Sequence, residues 1–200
     1  MIKSAKFIVS ATTAKQWEEY REANRVQGSP LVAMVGRSNV GKSSLINMLT
    51  NQKGLAITSS TPGRTRLINF FQIKLEAGEM YLVDLPGYGF AKASKSMQGG
   101  WGVNIEEFLL SGLQHVFVLV DIRIPPSDYD KQMIIFLQMN SIPFKIVATK
   151  GDKLSKAQLT RAIQIYANAM GITMNDVIAT SAKTGMGKDK IDKVLVSVLQ

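Results

Sequence analysis

The sequence predicts an α/β fold: a mostly parallel six-stranded sheet with one antiparallel strand and helices on both faces. Three observations carry that prediction. Short apolar runs alternate with stretches of helical period along most of the chain, the order that builds parallel sheets flanked by helices. Most of these runs are continuously apolar, as strands buried on both faces are. One pair of runs is joined by only four residues, Glu76 to Glu79 with Gly78 among them, which suffices for a hairpin and not for a crossover helix.

In chain order, strands are predicted at residues 31–35, 68–75, 80–84, 116–121 and 144–148, with 177–179 a weaker sixth. Helical patterns occupy residues 43–49, 105–113, 129–139, 157–170 and 190–199. The four-residue connection makes 68–75 and 80–84 run in opposite directions. The beginning of the chain is harder to place, with 7–9 a candidate edge strand and 17–20 a short helical piece. The expected organisation is an N-terminal extension, residues 1–28, packing on one core domain over 29–200.

A chain of 200 residues with 46% hydrophobic content can build one good core and has little to spare for a second. There is no cysteine, so disulfides and thiolate metal sites are excluded and a reducing intracellular compartment is expected. His115 is the single histidine, which removes zinc chemistry as well. The longest apolar runs, such as 116–120, fall far short of the roughly 20 residues of a membrane helix, and the N-terminus has no signal-peptide core. No membrane association is expected. Lysine and arginine total 24 against 15 acidic residues, a net charge of +9, which suits either a polyanionic partner such as nucleic acid or a solubilising surface.

The chemistry is concentrated between predicted strands and the helices that follow them. Gly36-Arg37-Ser38-Asn39-Val40-Gly41-Lys42-Ser43 follows the first core strand and opens a helix, which is the setting a P-loop requires. Its glycines let the backbone wrap phosphates, its N–H groups converge on the β-phosphate, and the helix presents its N-terminus to the anion. Lys42 is expected to bridge the β- and γ-phosphates, and the Ser43 hydroxyl to ligate Mg²⁺. Asp84 ends another strand and opens Asp84-Leu85-Pro86-Gly87, where the carboxylate can hold the Mg²⁺ shell through water and the Gly87 N–H can meet a γ-phosphate. The polar loop 58–65 between these motifs should supply one more hydroxyl, from Thr65 or alternatively Thr61, in the manner of loops ordered by a γ-phosphate.

Two later loops are suited to reading a base. Thr149-Lys150-Gly151-Asp152 follows a strand, at the edge where open α/β sheets bind ligands. The Asp152 carboxylate can accept two hydrogen bonds from the N1–H and N2–H₂ edge of guanine, a donor pair adenine lacks. The Lys150 stem can lie along the base, and the Thr149 hydroxyl can tie this loop to the phosphate loop. Ser181-Ala182-Lys183 follows the last predicted strand, and the N–H of Ala182 or Lys183 could meet the guanine O6.

The ordered set Gly36 to Ser43, Thr65, Asp84 to Gly87, Thr149 to Asp152 and Ser181 to Lys183 resembles the five motifs of translation-factor-related GTPases. Within it, the run from Gly36 to Ser44, Thr61-Pro62-Gly63-Arg64-Thr65 before Asn69-Phe70-Phe71, Asp84 to Gly89, and Val120-Asp121-Ile122-Arg123 with Pro125-Pro126 are similar to the EngB family. The resemblance covers nearly the whole chain. It implies a single Ras-like P-loop GTPase domain, Mg²⁺ as cofactor, and GTP and GDP as ligands. It also implies a bacterial cytoplasmic factor, expected as a monomer, for assembly of the large ribosomal subunit and contact with its rRNA, needed for cell division and septation. Carried over by position, the magnesium ligands fall on Ser43 and Thr65, and switch-loop contacts on Gly63, Arg64, Thr65, Arg66 and Leu67. An asparagine at the position of Asn39 can ligate potassium in related GTPases, or can simply stabilise the loop.

Where Ras-like enzymes carry a water-orienting glutamine after Asp-x-x-Gly, this chain has Tyr88 and Gly89. Neither offers an amide, so slow intrinsic hydrolysis is expected. The segment from Pro86 to Lys92 is expected to expose aromatic and basic groups beside the γ-phosphate. A competing reading, an RNA-binding structural module with a vestigial nucleotide site, predicts the loss of one of Lys42, Ser43, Asp84 or Asp152, and all four are present.

Overall fold

The computed structural model describes residues 1–57, 67–88 and 103–200. Among these residues the sheet has seven strands: β1 (Ile2–Ala11), β2 (Leu31–Gly36), β3 (Ile68–Leu75), β4 (Gly78–Asp84), β5 (His115–Asp121), β6 (Phe144–Thr149) and β7 (Val177–Ala179). They lie in the order β1-β3-β4-β2-β5-β6-β7. Strands β4, β2, β5, β6 and β7 are mutually parallel, whereas β3 is antiparallel to both β4 and β1. A short turn at Glu76 and Ala77 reverses the chain between β3 and β4, as the four-residue spacing required.

Among the described residues six helices cover the sheet: α1 (Ala14–Asn24), α2 (Lys42–Thr50), α3 (Val103–Leu109), α4 (Asp128–Met139), α5 (Lys156–Met170) and α6 (Lys188–Val198). Alternate residues of β2 serve opposite cores. Leu31, Ala33 and Val35 pack with Trp17, Phe108, Met133 and Tyr166 from α1, α3, α4 and α5. Val32 and Met34 pack with Leu45, Leu49, Ile191 and Leu195 from α2 and α6. With both faces apolar, a strand must be apolar at every position. Helix boundaries follow local chemistry: Ser127 and Ser155 close capping boxes with Asp130 and Gln158 at the starts of α4 and α5, and Gly171 ends α5 in the left-handed conformation.

The N-terminal stretch contributes more than its sequence pattern suggests. Strand β1 runs ten residues along β3, adding a seventh strand to the six expected. Its pattern was weak because an edge strand needs no continuous apolar run: Lys3, Ser4 and Lys6 are exposed along it, which also discourages pairing with other chains. Helix α1 is pinned by Trp17, whose ring stacks on Phe70 at 3.9 Å and meets Tyr81 edge-on at 4.9 Å.

His115 begins β5, is buried and packs edge-on against Phe117. Burial, assisted by the nearby Lys145 charge, lowers its pKa to about 4. An unfolded chain takes up that proton near pH 6.5. The contribution of a neutral His115 to stability is therefore present above pH 6.5 and is lost as pH falls toward 4. Denaturant unfolding across this range should show a loss on the order of 1–3 kcal/mol assignable to His115, and His115→Gln should remove that part of the slope.

Candidate functional site

The parallel strands deliver their polar residues to one edge of the sheet. Gly36, Asp84, Asp121 and Thr149 are the last residues of β2, β4, β5 and β6, so the loops they open gather at the carboxyl ends of the strands. The phosphate loop runs from Arg37 to Gly41, with Asn39 exposed and Val40 buried in the α2–α6 core. Asn39 and Gly41 both have positive φ, 62° and 111°. Gly41 caps α2 without any side-chain hydrogen bond, and no acidic residue sits in the first turn. The N-terminus of α2, with Lys42, Ser43 and Ser44 in its first turn, therefore offers its N–H groups and partial positive charge to an anion.

Asp84 faces this loop. Lys42 Nζ lies 3.6 Å from Asp84 Oδ1, too long for a hydrogen bond, and that oxygen is buried with no hydrogen-bond partner among the described residues. Burial raises the Asp84 pKa more than the Lys42 charge lowers it. A buried carboxylate oxygen left unmet beside a phosphate loop fits a group that waits for a hydrated cation. Among the described residues no cluster of three or more acidic or histidine side chains could hold a metal by itself. The donor set present, a hydroxyl at Ser43 and a carboxylate at Asp84, fits a Mg²⁺ that also takes ligands from phosphate and water.

Beyond Asp84 the chain follows β2 into the phosphate loop. Leu85 N–H donates to Met34 O at 3.0 Å, Tyr88 N–H to Gly36 O at 3.2 Å, and Ser38 N–H to Tyr88 O at 3.1 Å. The Leu85 side chain is buried in the core. Gly87 lies so close to Ser38 that a Cβ would come within 3.0 Å of its backbone, so only glycine fits without displacement. Tyr88 corrects the sequence expectation at its own position, while Gly89, Phe90, Ala91 and Lys92 of the same segment lie outside the described residues. Its ring is not displayed: the residue is 3% exposed, with the hydroxyl donating to Asp130 Oδ1 at 2.9 Å. The sequence signal was missed because a tyrosine in a glycine-rich loop gives no hint of a buried carboxylate to receive it.

At the end expected to read a base, the Thr149 hydroxyl reaches the phosphate loop. Thr149 Oγ1 lies 2.7 Å from Val40 O and 3.0 Å from Val120 O, joining β6 to the phosphate loop. Lys150 adopts φ 63°, and its ammonium donates to Asn39 O at 3.1 Å and Asp121 Oδ2 at 2.8 Å. Arg123 grips the same carboxylate through Nε and Nη2 at 2.9 and 2.8 Å. Burial opposes ionisation of Asp121, but the hydrogen bonds from Arg123 and Lys150 outweigh it and hold the carboxyl well below the usual carboxylate range. Sequence reasoning gave Asp121 no role. Its place at the end of a strand was the available signal.

Gly151 and Asp152 form a 3-10 turn over Gly151–Lys153. Asp152 Oδ1 accepts from the Ser181 hydroxyl at 2.7 Å, which lowers its pKa. Ser181 Oγ in turn accepts from the N–H groups of Lys183 and Thr184, both at 3.2 Å. Ala182 N–H is left without a partner among the described residues, which favours it over Lys183 for a ligand carbonyl. A cleft of about 710 Å³ joins these parts, lined by Gly41, Ser44, Thr149, Lys150, Asp152 and Ala182 among others. Leu67 is exposed just before β3. Gly63, Arg64, Thr65 and Arg66, with the alternative Thr61, lie outside the described residues.

Known proteins resemble this chain in sequence and in fold. Residues 31–150 match the family model described as 50S ribosome-binding GTPase. "Probable GTP-binding protein EngB" of Desulforapulum autotrophicum is 42% identical over 100% of this chain and 98% of its own length. The protein of the same name from Fusobacterium nucleatum is 44% identical, over 95% and 94%. A crystal structure of a probable GTP-binding protein engB superposes with a TM-score of 0.65 at 25% identity, covering 84% of this chain and 98% of that one. Era in complex with MgGDPNP and a segment of 16S ribosomal RNA shares the fold, with a TM-score of 0.70 at 23% identity over 85% of this chain and 56% of Era.

Replacing Thr149 by valine keeps the volume and removes the hydroxyl between Val40 O and Val120 O. The variant should unfold about 1–2 kcal/mol more easily, the usual cost of leaving buried acceptors unmet. It should also bind nucleotide more weakly, because the phosphate loop loses its link to the base-reading loop. Denaturation and nucleotide titration of the same samples check both.

Proposed function

The chain belongs to the EngB family of GTP-binding proteins and is a P-loop GTPase, and on that premise we propose that it is a nucleotide-gated assembly factor for the large ribosomal subunit. In this reading it acts in the bacterial cytoplasm as a monomer, contacts rRNA with its excess positive charge, and supports cell division and septation through its role in assembly. The observation that supports it best is a single cleft that runs from the capless N-terminus of α2 to Asp152 and Ala182. It brings the start of α2 at Gly41 and Ser44, next to Lys42 in the chain and suited to phosphates, together with the carboxylate acceptor Asp152, suited to the base.

Each residue then has a task. Lys42 and the loop from Gly36 to Ser44 bind the phosphates, and the Gly87 N–H receives the γ-phosphate. Ser43 and Thr65 would ligate Mg²⁺ directly and Asp84 through water, and the ion would neutralise charge on the β- and γ-phosphates. Potassium at Asn39 would add to that charge. The residues from Gly63 to Leu67 would supply further contacts to the nucleotide. Lys150, held by Asp121, lines the base, Thr149 and Gly151 shape its loop, Asp152 accepts from guanine, and Ala182 N–H donates to O6, with Ser181 and Lys183 fixing that loop. With Tyr88 turned into the interior, no side chain at that position orients the attacking water. Intrinsic hydrolysis is then slow, and the assembling particle supplies or induces the missing geometry.

Asp152→Asn should shift preference from guanine to xanthine nucleotides, since an acceptor becomes a donor at the altered base edge. Titration with both families decides it, and an unchanged guanine preference would remove Asp152 from this role. Thr65→Ala should weaken GTP·Mg²⁺ binding more than GDP binding, and equal losses would move the hydroxyl role to Thr61. Co-sedimentation with purified large subunits and their precursors, in GTP, GDP and a non-hydrolysable analogue at fixed salt, tests the gating. Binding should track the nucleotide and particles should speed phosphate release, whereas indifference to the nucleotide would end the proposal.

A further inference from the structure

We propose that Tyr88 is a positioning residue: by anchoring its hydroxyl on Asp130 at the start of α4, it holds the Gly87 N–H where a γ-phosphate arrives. The preference for GTP over GDP would then depend on a bond that touches no nucleotide. This inference rests on the reading of Gly87 as the γ-phosphate contact.

The local geometry is that of an N–H suspended between fixed points. Gly87 N–H has no hydrogen-bond partner among the described residues, while Leu85 N–H before it and Tyr88 N–H after it are both bonded to the β2 backbone, at Met34 O and Gly36 O. The peptide is also seated by contact, because Gly87 packs against Ser38 with no room for a Cβ. These bonds fix the height of the segment over the phosphate loop. The direction in which Tyr88 leaves it is set by the ring, which is buried, and by the hydroxyl, which donates to Asp130 Oδ1 at 2.9 Å.

Asp130 is a firm anchor. Its other oxygen, Oδ2, accepts from Ser127 N–H at 3.0 Å and from the Ser127 hydroxyl at 2.7 Å, closing the capping box of α4. The residue is 2% exposed, and Met133, Ile134 and Leu137 bury the same helix in the core. The two oxygens thus have separate tasks, one for the helix and one for Tyr88. Burial and the adjacent Asp130 charge also push the phenol pKa up, so the hydroxyl stays a donor at any physiological pH. If the hydroxyl is lost, Oδ1 loses its bond from Tyr88 and the segment carrying Gly87 loses this tie to α4, while its backbone bonds and the buried ring remain.

Tyr88→Phe keeps the ring and removes the bond. Its affinity for a non-hydrolysable GTP analogue with Mg²⁺ should fall about tenfold while GDP affinity stays within about twofold, the size expected for one hydrogen bond to a buried carboxylate. The loss should appear in KM for GTP more than in kcat. Ser155→Ala weakens the capping box of α5, which touches neither Tyr88 nor Asp130, so it should lower Tm and leave the GTP-to-GDP affinity ratio unchanged. Equal losses for both nucleotides in Tyr88→Phe, or a gain for the GTP analogue, would overturn the positioning role. Gly87→Ala separates the two levels: a selective GTP loss there but not in Tyr88→Phe refutes the anchor alone, and an unchanged ratio in both refutes the γ-phosphate reading beneath it.

Discussion

Burial of the central strands on both faces is the constraint from which the rest of the molecule follows. Every residue of β2 is buried, and β5 is buried up to its last residue. A strand in that position has nowhere to carry a polar side chain except its end, where the sheet edge meets solvent. Asp84, Asp121 and Thr149 occupy those ends. The functional edge is thus a product of the core: the packing that excludes polar groups along the strands also collects them, in order, at one rim.

Collecting charges at a half-buried rim is costly unless they are paired. Asp121 is fully paired, by Arg123 and Lys150, and so acts as a strut. Ser181 likewise spends its hydroxyl on Asp152 and its lone pairs on its own loop. Among the described residues, other groups are left unmet: an oxygen of Asp84, the N–H of Ala182, and the uncapped start of α2. The division is informative, because satisfied groups hold shape and unsatisfied ones mark where a ligand completes the structure.

Much of this was legible beforehand because it rests on short-range rules. The strand positions, the reversal at Glu76 and Ala77, and the helix after the phosphate loop follow from periodicity and from a connection too short for a crossover. The Thr149 link could be anticipated from a hydroxyl beside the loop it joins. What escaped is long-range and polar. Asp130 and Tyr88 are 42 positions apart, and nothing local marks either as the other's partner. Asp121 reads as one more strand end until the fold brings Lys150 to it. Strand β1 was faint because its pairing with β3, not its own composition, makes it a strand.

That pairing has a consequence for the order in which the chain is made. Ile2 faces Leu75 and Ala11 faces Ile68, so β1, made before β3, has no partner until β3 follows it. Strands β3 and β4 can close on each other as soon as their turn is made, since a local hairpin needs little loop closure. Until then the N-terminal segment must stay unpaired without aggregating, and the lysines that weakened its strand signal serve that purpose. During synthesis, therefore, β1 takes its place after strands made later than it, docking on a hairpin younger than itself.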